Sequence, residues 1–92
     1  MIKKYRKKPV EIEAIQWRGS HDEPAVTEFI RPDARARIEP YKNRKGAWVL
    51  YTQKAKMFFG DNDYIIRGIE GEYYVCKHTV FAETYEVVDV AN

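Results

Sequence analysis

The sequence predicts an α+β domain: a small antiparallel meander sheet or open barrel of about five to six strands with two short helices. Three observations carry this reading. Two β-rich runs joined by a short turn-forming segment occur twice in succession between positions 47 and 76, the pattern of consecutive hairpins. Alternating apolar and polar residues at 9–17 and 85–90 add a strand at each end. Between them, helix start signals and apolar spacing of three and four appear at 22–31 and 77–84.

In chain order, Lys3, Lys4, Arg6, Lys7 and Lys8 make residues 1–8 a basic N-terminal arm, read as solvated or as the blunt of an edge strand. In the first strand Val10, Ile12 and Ala14 alternate with Pro9, Glu11 and Glu13. The adjacent Ala14 and Ile15 then break register, so a bulge or burial on both sides is expected. Asp22 and Pro24 start a helix that places Val26, Phe29 and Ile30 on one face and ends before Pro32. Positions 34–38 alternate as a short strand or form a helical turn, with Arg35 and Arg37 on one side. Tyr41 and Lys42 open a polar loop carrying Arg44 and Lys45, either a solvated turn or an anion-facing loop.

The apolar run 47–52, the turn Gln53-Lys54 and the run 55–59 read as one hairpin. Asp61-Asn62-Asp63 then turns the chain into Tyr64-Ile65-Ile66, and the tip Gly68-Ile69-Glu70-Gly71 leads to the returning run 72–76. Thr79 is the expected cap of the second helix, and 85–90 the last strand. The predicted core is Ile12, Ile15, Val26, Phe29, Ile30, Val49, Ile66, Val75, Phe81 and Val87.

Composition bounds the function. Ninety-two residues with 45% hydrophobic and 14% aromatic content fit one folded domain spanning 1–92. A net charge of +2 is far from the strongly basic balance of a protein that neutralises many phosphates, so nucleic acid is not the expected partner. The single cysteine, Cys76, excludes an intrachain disulfide and fits a reducing compartment. The basic start is followed by Val-Glu-Ile-Glu rather than an apolar segment, and no run has membrane-spanning length, so a cytoplasmic location without membrane association is expected.

Several segments carry a recognisable pattern: Asp63-Tyr64-Ile65-Ile66-Arg67-Gly68, Gly71-Glu72-Tyr73-Tyr74, Cys76-Lys77, Phe81 and Thr84-Tyr85-Glu86. With Tyr5-Arg6-Lys7-Lys8-Pro9-Val10 and Ala14-Ile15-Gln16-Trp17 at the start, the chain resembles the PGDYG family of small phage and prophage proteins. Positions 33–57 have no counterpart in that pattern. Asp61-Asn62 stands where the family has proline and glycine, and Val75 and His78 where it has prolines; asparagine retains access to positive φ, so the turn is retained. The resemblance implies a phage setting, the cytosol of an infected bacterium, and no established reaction.

Catalytic signatures are sparse. There is no Walker sequence, and Gly68-x-x-Gly71 is a hairpin tip. Cys76 and His78 are the nearest nucleophile and base, but no third orienting residue accompanies them and a structural thiol is the preferred reading. Cys76, His78 and His21 lack paired metal-ligand spacing. No catalytic residue, metal or cofactor is expected, and the protein is read as a binder, not an enzyme.

Seven tyrosines and two tryptophans interleaved with cations supply stacking faces and phosphate-holding groups. The expected ligand-binding residues are Arg67, Gln16, Trp17, Tyr64, Tyr74 and Lys77. The expected ligand is a small anionic aromatic molecule such as a nucleotide or a cyclic nucleotide signal of host defence, the defence role coming only from the phage resemblance. The structural alternative is that the tyrosines pack and Arg67 pairs with Glu72 across the hairpin. Alternative functions are a protein-interaction module that uses exposed aromatics, and a weak single-stranded nucleic-acid binder. A homo-oligomer is expected.

Overall fold

The computed structural model describes residues 1–88 of the chain. Strands β1 (Glu13–Gln16), β2 (Arg37–Pro40), β3 (Trp48–Tyr51), β4 (Lys56–Phe59), β5 (Tyr64–Arg67) and β6 (Tyr73–Cys76) accompany helices α1 (Glu23–Ile30) and α2 (His78–Thr84). All pairings are antiparallel, and the strands divide into two three-stranded sheets, β1-β5-β6 and β2-β3-β4. The domain is therefore α+β, and its described strands do not close a barrel.

Side-chain alternation aims one face of each sheet at a common core. In the first sheet Ile15 stands opposite Ile65, and Ile65 opposite Val75. In the second Ile38 stands opposite Leu50, and Leu50 opposite Met57. Trp17, Ile65 and Tyr73 meet Ile38, Leu50 and Phe59 there, and α1 closes the core with Val26 and Ile30. The Trp17 ring is fully buried, 4.7 Å from Trp48 and 5.2 Å from Phe59 between centroids, so it joins the two sheets.

β1 begins later than the alternation at 9–17 predicts. Pro9 donates no ladder bond, Val10 stays exposed, and the facing that enters the core is Ile15 and Trp17. The register break needs no bulge once 9–12 lie outside the strand. The β3–β4 turn lacks glycine because the Thr52 hydroxyl accepts bonds from the N–H groups of Lys54 (3.2 Å) and Ala55 (3.0 Å). α2 is capped at Lys77, not Thr79, and its first-turn His78 N–H donates to Asp63 Oδ1 at 3.1 Å.

The tail departs from expectation. Residues 85–88 form no strand, and Val87 is 95% exposed, not core. The reason lies in α2, which lies over the outer face of the first sheet through the Phe81 ring, stacked on Tyr64 at 3.6 Å, and Tyr85 next to it. Phe81 is thus a half-buried satellite contact outside the main core. The remaining part of the predicted last strand, Asp89 and Val90, lies outside the described residues.

Between β1 and α1, Asp22 is buried and gives no cap to its own helix. Its carboxylate accepts instead the backbone N–H of Arg18 (2.9 Å) and two guanidinium bonds, Nε at 3.0 Å and Nη2 at 2.9 Å. The Arg18 side chain and N–H outweigh the opposing effect of burial and hold the Asp22 carboxyl down to about 2, from an ordinary 3.8. Because the folded value is the lower one, this contribution to stability is complete above about pH 4 and is lost as pH falls toward 2. Melting curves should therefore show the gap between wild type and Asp22→Asn closing from pH 5 to pH 2. A gap of constant size would refute the assignment.

Candidate functional site

Two loops make the walls of a groove of about 450 Å³. The first joins β2 to β3. Tyr41 N–H donates to the Ala47 carbonyl at 2.8 Å, and Ala47 N–H to the Arg44 carbonyl at 3.1 Å, while Gly46 takes φ 81°, open to glycine at little cost. This closure holds Tyr41, Arg44 and Lys45 along one side. Tyr41 meets Phe58 of β4 edge to face at 4.9 Å, which gives the groove an aromatic wall.

The second wall is the turn between β4 and β5. Asp63 N–H returns to the Gly60 carbonyl at 3.1 Å, and Asn62 supplies the positive φ of 75° that asparagine tolerates. The turn is tied to the core strand through Trp17, whose N–H donates to the Asp63 carbonyl and whose carbonyl accepts from Asn62 N–H. Asp63, 4% exposed, is the hub of this wall. Its carboxylate accepts from Gly60 N–H at 2.9 Å, Lys77 Nζ at 3.2 Å and His78 N–H, with His78 Nδ1 also 3.2 Å away. Burial pushes its carboxyl up, but these partners together outweigh it and hold the group below the ordinary carboxylate value. Asp63 thereby stays ionised and fixes Lys77 at the groove.

The result is a recess lined by three cations, Arg44, Lys45 and Lys77, next to the Tyr41 and Phe58 rings. Among the described residues Arg44 and Lys45 form no ion pair, whereas Arg18, Arg31, Arg37 and Arg67 each hold a carboxylate. Chemically the groove can take an anion and an adjoining flat ring.

Of the six residues expected to bind ligand, only Lys77 lines this groove. Trp17 is core. Gln16 donates to the Asn62 carbonyl at 3.1 Å, and Tyr64 carries the Phe81 stack. Tyr74 is half-buried, its hydroxyl pushed up to about 12 by burial and by the Tyr85 hydroxyl. Strand alternation puts Gln16, Tyr64 and Tyr74 on the outer face of the first sheet and Arg67 on the core face, so these residues cannot converge with it.

Arg67 is committed to the fold. Its Nε donates to the Tyr73 hydroxyl at 2.9 Å, Nη1 to Glu13 Oε1 at 2.5 Å and Nη2 to the Phe29 carbonyl at 2.9 Å, with the guanidinium 4.8 Å from the centre of the Phe29 ring. The expected cross-strand partner Glu72 instead accepts from Glu70 N–H at 3.0 Å. The cation-bearing loop was legible in sequence, but Phe58 and Asp63 were not: Asp63 reads as a turn former, and its partners lie fourteen and fifteen positions on.

His78 and Cys76, two positions apart in sequence, serve different partners. The imidazole meets Asp63, while burial and the Asp63 charge push the Cys76 thiol up, away from thiolate character. Cys76→Ser should change the affinity of any ligand of this groove by no more than about twofold; loss of binding by a folded variant would put the thiol in the site. Among the described residues no group of three or more His, Cys, Asp or Glu could hold a metal ion, and no helix is long and apolar enough to cross a membrane. Comparison with protein-family models, curated proteins and solved structures finds no match for this chain.

Proposed function

We propose that this protein is a small binding protein that captures an anionic, aromatic small ligand of the nucleotide class in the groove between the 41–47 loop and the 60–63 turn. The observation that carries the reading is the gathering of Arg44, Lys45 and Lys77 beside the Tyr41–Phe58 pair, in a recess of small-molecule size. Phosphate takes the cations and the base lies against the rings. The resemblance to PGDYG proteins adds a setting: a phage protein in the cytoplasm of its host that sequesters a nucleotide signal, cyclic or linear, used in defence. Thermal-shift measurements against a nucleotide panel test this, with Arg44→Ala and Lys45→Ala each expected to reduce affinity about tenfold. No shift with any nucleotide would remove the proposal.

A second reading has its own observation. Val80, Val87 and Val88 are exposed apolar side chains at and beyond α2, which favours a protein partner or a homo-oligomer there. Native mass spectrometry of the purified chain would show dimers or larger species if a second copy covers them.

A further inference from the structure

The groove's charge inventory says more about its ligand than that it is anionic. Three cations and one carboxylate line it, Arg44, Lys45 and Lys77 against Asp63, leaving a surplus of two positive charges. Asp63 is 4% exposed and saturated by Gly60, Lys77 and His78, so it offers the ligand no free acceptor and acts by anchoring Lys77. Lys77 gives Asp63 one of its three N–H groups and is itself 62% exposed, so the other two remain for a ligand. Arg44 adds a planar fork, which matches two oxygens of one phosphate.

We propose that the groove selects a terminal phosphomonoester, the dianionic phosphate of a nucleoside monophosphate, over a phosphodiester; this rests on the ligand reading above. A phosphodiester carries one negative charge and two oxygens free of ester bonds. A phosphomonoester carries nearly two charges above about pH 6 and three such oxygens. The second charge answers the second uncompensated cation, and the third oxygen accepts a further charge-assisted hydrogen bond. The difference between the two ligand types is this added charge-assisted contact.

Calorimetric titration of the full chain with the four ribonucleoside 5′-monophosphates, their 3′,5′-cyclic counterparts and inorganic phosphate tests this. At least one monophosphate should bind about tenfold or more tightly than its own cyclic form, and more tightly than inorganic phosphate. Affinity for the monophosphate should rise as pH passes about 6, where the second phosphate proton is lost. The groove's other charged and titratable neighbours are Tyr41, Arg44, Lys45, Asp63, Lys77 and, behind Asp63, His78. The cyclic compounds, with no proton to lose there, report separately any effect of pH on these protein groups. Cyclic and linear forms binding equally, with both weakened by Arg44→Ala, would overturn the phosphomonoester inference and leave the groove standing. Absence of binding by all eight nucleotides would overturn both.

Discussion

Trp17→Ala is expected to leave the domain largely unfolded at room temperature. Removing a large buried aromatic costs about 3 to 5 kcal/mol, close to the whole stability of many small domains. Here the ring, set at the end of β1 in one sheet, contacts Trp48 and Phe59 of the other, so the two sheets lose their shared wedge together. Trp17→Phe separates volume from identity. The buried indole Nε1 has no hydrogen-bond partner among the described residues, so phenylalanine removes an unsatisfied donor while it retains most of the packing. Chemical denaturation should rank wild type near Trp17→Phe and far above Trp17→Ala. An alanine variant that unfolds cooperatively at close to the wild-type denaturant midpoint would refute the central place given to this ring.

Arg67→Leu should cause the next largest loss, read as a melting temperature well below that of wild type and above that of Trp17→Ala. The guanidinium ties four elements: Glu13 of β1, the end of α1 at the Phe29 carbonyl, its own strand β5, and Tyr73 of β6. Its interaction with the Tyr73 hydroxyl, ahead of its interaction with Glu13, raises its pKa further, and the side chain is only 28% exposed. Leucine fills part of the space but leaves the Tyr73 hydroxyl with Phe29 alone. Tyr73→Phe, which removes one shared oxygen, should cost about 1 to 3 kcal/mol, and the two losses should be less than additive, since each removes the same Arg67–Tyr73 bond. Strict additivity would show that the pair is not coupled. Because Arg67 lies on the core face, ligand affinity of folded Arg67→Lys should match wild type.

What was legible in the sequence was mostly local. The turn at Asp-Asn-Asp and the hairpin with Gly-x-x-Gly at its tip formed where expected, as did α1 between Asp22 and Pro32, because turn-forming residues and a proline stop act over a few residues. The split into two sheets was not legible, since it depends on β1 pairing with the distant β5, Glu13 opposite Arg67 and Gln16 opposite Tyr64. Val87 shows the same limit: its alternation is strand-like, but period alone does not supply a partner strand. The site was half legible. Arg44 and Lys45 stood out as a cation-bearing loop, and Lys77 was named, but nothing in their spacing brings them together; Asp63, buried and bonded to Lys77 and His78, fixes Lys77 at the groove that the loop lines. Arg67 misled because a fork beside aromatics looks alike whether its donors face a ligand or a carbonyl.

The claim that the 41–47 loop and the 60–63 turn form the binding site is tested most directly by amide chemical-shift mapping during titration with a nucleoside 5′-monophosphate. Perturbations should concentrate at 41–47, 58–63 and Lys77, and largely disappear in an Arg44→Ala, Lys45→Ala double variant that keeps the wild-type melting temperature. Perturbations centred instead on Gln16, Tyr64 and Tyr74, with those of the loop absent, would contradict the account and put the ligand on the outer face of the first sheet.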